Sequence, residues 1–422
     1  MSIDPEVVIV GGGLAGLSAA RTLSSQGIPT LLLEASSEVG GRVATDVVEG
    51  FLLDRGFQVL LDSYPEARRT LDFGALDLRP FAAGALVRRD GRVGRVADPW
   101  RDPIGGARSR LSGVFTPADA WRMIRLRHDA LLTAEGDAQP SERTAARALA
   151  ERGFSERSIE SFFRPFFGGV FLSTQLTASS HWFEFLFAMF ASGRATLPAT
   201  GMGAIPRQLA ASLPAGTVRR SSPVRVARAG RVELASGESF APRAVIVATD
   251  ARQTALLVPG SRVPSFGSCV TLYYAATRSP IGEPLLMLNG DPRTGPVNHV
   301  CVPSEIAPGY APAGAHLVSA TIVGSPAEDD ATLDRAAREQ LSGWFGAPAV
   351  REWHLLRAAR VTHALPHVPA GQSPDRSVRL GEGLYACGDH LETPSINGAL
   401  RSGRRAAEAL LADRSSRSSA VA

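Results

Sequence analysis

About thirty residues near the N-terminus constrain this chain more than any others. Glu6 to Val10 (EVVIV) is a short apolar run that reads as a buried strand, and Gly11, Gly13 and Gly16 follow it in the spacing G-x-G-x-x-G. Leu14, Leu17 and Leu23 then recur at intervals that line one face of a helix. Gly27 is placed to end that helix, and Pro29 to Glu34 (PTLLLE) reads as a second buried strand. A strand, a helix and a strand in so short a span predict a parallel β-α-β unit with a right-handed crossover. The first glycine allows the tight turn, the second lets the backbone approach a pyrophosphate, and the third lets helix and strand pack closely. With Leu14 and Ala15 completing the first helical turn, the phosphates would meet the positive end of the helix dipole. Glu34 stands where a carboxylate hydrogen-bonds ribose hydroxyls; it would repel a 2′-phosphate, which argues against NADP. The glycine turn does not by itself separate NAD from FAD.

The residues after Glu34 narrow the choice. In ASSEVGGRVATD, beginning at Ala35, Gly40 and Gly41 permit close backbone approach and Arg42 offers a planar guanidinium fork to a phosphate. Following a glycine turn, EASSEVGGR resembles the flavin amine oxidase superfamily, which includes protoporphyrinogen oxidases and phytoene-desaturase-like enzymes. GFLLDRGFQVL (Gly50 to Leu60), with Gly56 and Phe57, is similar to that family's next segment. The likeness returns in SSPVRVARAGRVELASGESFAPRAVIVAT, where Val224 would contact the adenine and Ala248 and Thr249 close a buried strand. It returns again in GLYACGDHLETPSINGALRSGRRAAEALL. There the resemblance implies that Gly388 and Asp389 bind the ribityl or phosphate region. Ser395, Ile396, Asn397 and Ala399 would open a helix whose N-terminus faces the isoalloxazine and stabilises charge on reduced flavin. Gly398 and Gly403 would let that helix pack closely against the cofactor or sheet. The cofactor implied is FAD.

These segments are far apart in sequence. The expected fold is therefore α/β, with a Rossmann-type FAD-binding domain assembled from 1–80, 200–255 and 375–413. An α+β substrate domain with a mixed sheet and helices would come from 81–199 and 256–374. Residues 80–200 read mainly as helical patterns with an aromatic-rich tract, and 414–422, rich in Ser, Arg and Ala, as a flexible tail.

Composition supplies exclusions. The 45 basic residues are all arginine, and the net charge of +4 with a pI of about 9.3 is spread along the chain. That is not the clustered charge of a nucleic-acid site; peripheral membrane contact is left open. Cys269, Cys301 and Cys387 follow no metal or disulfide spacing, so no metal site is expected and a cytoplasmic setting is the default. No basic-then-apolar leader and no apolar run of about 20 residues is present. Monomer and homodimer fit equally.

The flavin would carry the oxidation, with the protein orienting substrate and excluding water. Many amine oxidases of the superfamily use a lysine near the flavin, and this chain has none. They also carry an aromatic residue where this chain has Ser395. The segment from Phe162 to Phe190 holds nine phenylalanines and Trp182. These features favour hydride abstraction from a small, largely apolar substrate, isoprenoid or porphyrinogen-like. Amine or amino-acid oxidation and non-redox isomerisation are the alternatives. His363 and His367 are candidate proton acceptors, and Arg164 a candidate carboxylate ligand, although an ordinary ion pair accounts for it equally.

Overall fold

The computed structural model describes residues 5–109, 112–133, 142–291, 294–372 and 377–421, so the expected boundary at 374/375 falls outside the described residues. Thirteen strands position the site. In chain order they begin with β1 (Val7–Val10), β2 (Thr30–Leu33), β3 (Gly84–Arg89), β4 (Arg92–Ala97), β5 (Val218–Arg219), β6 (Ala244–Val247) and β7 (Phe266–Ala276). They continue with β8 (Leu286–Asn289), β9 (Val297–Cys301), β10 (His316–Val323), β11 (His354–Pro366), β12 (Arg379–Gly381) and β13 (Leu384–Ala386). The helices used below are α1 (Leu14–Ser24), α2 (Pro117–Thr133), α3 (Arg164–Phe171), α4 (Ser180–Ser192), α5 (Asp330–Phe345) and α6 (Ile396–Val421).

The first sheet has the spatial order β5-β2-β1-β6-β13-β12. All its pairings are parallel except that of β12 with β13. Val7, Val8, Ile9 and Val10 are each fully buried, as are Val245, Ile246 and Val247. Continuous apolar runs of this kind suit parallel strands covered on both faces. α1 packs on this sheet and α6 packs across α1, so the first helix and the last form one layer. Ser18 Oγ donates to the Leu400 carbonyl at 2.7 Å between them.

The second sheet is mixed, in the order β11-β7-β10-β9-β8-β3-β4. One face, with Val270, Leu272, Tyr274, Val318 and Ile322, is covered by Leu333, Ala337 and Leu341 of α5. The other, with Tyr273, Cys301 and Leu317, joins the core shared with the dinucleotide-type unit.

Two sequence expectations change. β3 and β4 lie where only helical patterns were read; the overlooked signal is Asp90-Gly91, whose φ values of 50° and 73° make the tight hairpin turn. The tail is not loose at its start. α6 continues to Val421, Asp413 accepts from Arg379 and Tyr385, and Arg414 pairs with Glu6 at 2.6 Å.

Candidate active site

The glycine turn is built as its spacing requires. Gly11 has φ +113°, and its N–H donates to the Leu33 carbonyl at 2.8 Å. A Cβ on Gly16 would stand 2.0 Å from the Gly11 carbonyl oxygen, so this position excludes every side chain. Gly13 caps α1 without a side-chain hydrogen bond, and a Cβ there would meet nothing within 4 Å. The first turn of α1, including Leu14 and Ala15, thus presents backbone N–H groups beside open space. Gly40 closes the cradle: its N–H donates to the Gly12 carbonyl at 2.8 Å, and a Cβ on Gly41 would reach only the Gly13 Cα, at 3.7 Å. A pyrophosphate fits this arrangement in size and in sign.

Glu34 is fixed at the end of β2. Its carboxylate accepts from the Gly12 N–H at 2.6 Å and from the Ser36 N–H at 2.8 Å. The Ser222 N–H donates to the Glu34 carbonyl at 2.8 Å. This brings the strand beginning at Val224 alongside, while Ala35 begins the bend between them. Ala248 donates to Val10 at 2.8 Å and lies against Gly11 with Thr249, whose hydroxyl is 2.9 Å from that of Thr254.

The C-terminal motif meets this N-terminal unit directly. Arg42 Nη2 donates to Asp389 Oδ1 at 2.5 Å and Arg42 Nη1 to the Ala364 carbonyl at 2.9 Å. Burial works against the guanidinium charge, but the Asp389 carboxylate outweighs it and holds the Arg42 pKa above its usual value. The fork expected to meet a phosphate is thus committed to a carboxylate, and residues 42 and 389 clamp the two ends of the chain. Gly388, at φ +153°, has its N–H bonded to the Ser402 hydroxyl at 2.9 Å. Cys387 beside it is a buried thiol with its pKa pushed up to about 12. Ser395 caps α6, its hydroxyl accepting from the Gly398 N–H at 3.0 Å. Asn397 is buried and its side-chain oxygen accepts from the Glu66 N–H at 2.8 Å, so that oxygen holds the fold. Ile396 and Ala399 pack against the main core.

The histidine candidates are less suited to proton transfer than expected. Both ring nitrogens of His363 lie 3.0–3.2 Å from the same Arg252 Nη1, and its ring meets Phe266 edge-on. Among the described residues the His367 ring has only Thr177 Oγ1 as a partner, at 3.5 Å, and partial burial lowers its pKa. Arg164 is taken by Glu160 in a two-pronged pair at 2.6 and 2.7 Å, the ordinary ion pair.

At the junction the expected Gly56 and Phe57 lie beside residues that the sequence reading did not single out, His299 and Asp54 among them. Gly56, at φ +84°, backs onto Cys269 and Val361 of the second sheet. Phe57 packs edge-on against Phe81 and against His299, with ring centres 6.4 and 5.2 Å apart. His299 is buried, and that burial drops its pKa to about 4, leaving a neutral imidazole. Register places Thr271, Thr321 and His299 opposite one another across β7, β10 and β9. The two threonine hydroxyls and His299 Nε2 are buried with no hydrogen-bond partner among the described residues. Nearby, Asp54 accepts from Thr45 at 2.5 Å, Tyr310 at 2.7 Å and the Met202 N–H at 3.0 Å, while Tyr273 donates to its backbone carbonyl at 2.8 Å. Asp54 sits in the quoted GFLLDRGF, but its tyrosine partners lie more than 200 residues away.

Comparison with known proteins agrees with this geometry. The family model for flavin containing amine oxidoreductases matches residues 14–411. The chain belongs to that family. As a member of the flavin containing amine oxidoreductases it is a flavoprotein, and the cradle between Gly13 and Gly41 has the room that the pyrophosphate of FAD requires. The family's fold is the one seen in an oxidoreductase from Methanosarcina mazei, with a TM-score of 0.75 at 17% identity over 95% of this chain and 99% of that one. Among curated proteins, protoporphyrinogen oxidase 2 of Arabidopsis thaliana is 25% identical over 39% of this chain and 32% of its own length. Putrescine oxidase of Kocuria rosea is 31% identical over 35% of this chain and 30% of its own. The matches thus span about a third of each of these relatives, and less of several others. Among the described residues no helix is long and apolar enough to cross a membrane, and no cluster of metal-ligating side chains occurs.

Proposed function

We propose that this flavoprotein dehydrogenates a small, largely apolar molecule at the junction of its two sheets. Bound FAD supplies the two-electron acceptor. The chain supplies the cradle at Gly13 and Gly41, the carboxylate of Glu34 for the ribose, and the Arg42–Asp389 clamp. What carries the substrate reading is the surroundings of Phe57: Phe81 on one side and the uncharged His299 ring on the other. An aromatic lining without formal charge binds apolar surface and gives a cationic amine little to pair with. The row Thr271–Thr321–His299 on the same sheet is likewise buried and uncharged, so it offers an amine no carboxylate. The absence of any lysine supports the same reading.

Amine oxidation is the second reading, favoured by the similarity to putrescine oxidase. Anaerobic titration of the holoenzyme separates the two. Carotenoids or porphyrinogens should bleach the flavin band near about 450 nm, and putrescine and monoamines should not. Bleaching by amines alone would overturn the proposal. Conversion of an apolar compound with no acceptor consumed would instead indicate an isomerase.

A further inference from the structure

Eleven large apolar side chains are exposed among the described residues, and seven of them fall between residues 93 and 132. They include Trp121, Ile124, Leu131 and Leu132 on α2, and Trp100 and Ile104 just before it. We infer that this surface docks the protein onto an anionic lipid bilayer, with α2 lying in the plane of the interface. The inference is independent of the substrate reading.

The helix is two-faced in an unusual sense. Leu126 and Ala130 are fully buried, and that face packs on α4. Trp121, Ile124, Leu131 and Leu132 follow at i, i+3, i+10 and i+11, which sets them in one stripe on the outside. There Trp121 is 61% and Leu132 71% exposed. A stripe of this size on the outer face of a packed helix marks an interaction surface. Trp100 extends it: the Arg127 guanidinium lies 4.5 Å from the centre of its ring. Ile104, 70% exposed, shares a helix face with Arg108 four residues on.

Charge decides the partner. The charge is less evenly spread than the sequence reading held: residues 92–132 contain eight arginines against four aspartates, a surplus equal to the whole chain's net charge of +4. Arg108 and Arg125 are exposed and have no acidic side chain within ion-pair reach among the described residues. Tryptophan with leucine and isoleucine, rimmed by unpaired arginines, is the composition of a helix that rests at the headgroup boundary of an anionic membrane. A second copy of this chain is the poorer partner, because an isologous contact centred on α2 would bring like arginines together.

Sedimentation of the holoenzyme with sucrose-loaded vesicles tests this. It should pellet with phosphatidylglycerol/phosphatidylcholine vesicles and only weakly with phosphatidylcholine alone, and salt should release it. The double variant Trp121→Asp/Ile124→Asp should lower binding by roughly tenfold or more, with flavin content and melting unchanged. Arg108→Gln/Arg125→Gln should lower binding to the anionic vesicles by roughly twentyfold and leave binding to neutral vesicles as it was. Absence of wild-type binding to the anionic vesicles would overturn the inference. So would binding that both double variants retain in full, or a dimer that Trp121→Asp/Ile124→Asp splits in a protein that ignores vesicles.

Discussion

Gly13 and Gly16 stand three residues apart in one turn and answer to different neighbours. A methyl group on Gly16 collides with the protein's own backbone at Gly11, whereas one on Gly13 projects into the space assigned to the pyrophosphate. Gly13→Ala should therefore give a folded protein whose deflavinated form melts with the deflavinated wild type but which takes up little FAD. Gly16→Ala should lower the melting temperature even without flavin, by an overpacking cost of about 1–3 kcal/mol. Flavin absorbance per chain and thermal melting of the two apoproteins read this out, and a Gly13→Ala protein with full flavin content would refute the assignment. The glycines and Glu34 were legible in the sequence because their roles depend on neighbours within about thirty residues. Asp54 and His299 were not, because what makes them notable is burial against partners from other segments. Asp389 lay between: its motif was visible, but not its engagement with Arg42.

The contact of α1 with α6 joins the two most readable elements in the chain. Gly403 was expected to bring α6 close to the cofactor or sheet; it meets α1 instead, where a Cβ would lie 2.1 Å from the Ala15 carbonyl oxygen, in the first turn of that helix. A helical glycine ordinarily costs about 1 kcal/mol relative to alanine, so at a free surface Gly403→Ala would stabilise. Here the obstacle is backbone and cannot swing aside. The substitution should destabilise by about 1–3 kcal/mol and weaken FAD binding as well, because it pushes on the turn that holds the phosphates. Urea denaturation with and without FAD measures both effects; a more stable variant would mean that the helices are not in such close contact. The β3–β4 hairpin shows the opposite case, an element missed because a single Asp-Gly turn was outweighed by helical patterns around it. The aromatic tract was visible as composition only. Its division between buried Phe163, Phe167 and Phe183 and the half-buried Phe162, Phe166 and Phe190 depends on where the second sheet lies.

Across the whole molecule, Asp54 ties the dinucleotide-type unit to the second sheet through Tyr310 and Tyr273. Burial raises its carboxyl to about 6, against the opposing hydrogen bonds from Thr45, Tyr310 and the Met202 N–H. An unfolded aspartate titrates near about 3.9. The folded state therefore binds this proton more tightly, and the contribution to stability is greatest below pH ~4 and is lost as pH rises through about 6. At about 1.4 kcal/mol per pH unit, the effect is on the order of 3 kcal/mol. Asp54→Asn should abolish it, so the stability difference between wild type and variant should change by that amount between pH ~4 and 7. Denaturation curves across that range check it, and a pH-independent difference would refute it. The same long reach governs how the first sheet can form. β1 pairs with β2 on one side and β6 on the other, and β6 in turn pairs with β13 at residues 384–386. At a synthesis rate of roughly 5–20 residues per second, a nascent chain on the ribosome would hold β1 with one flank uncovered for about 12–50 s, until β6 is made, and would then hold β6 open until β13 follows. A cell making this protein must shelter first one and then the other of these apolar edges while the intervening residues are made.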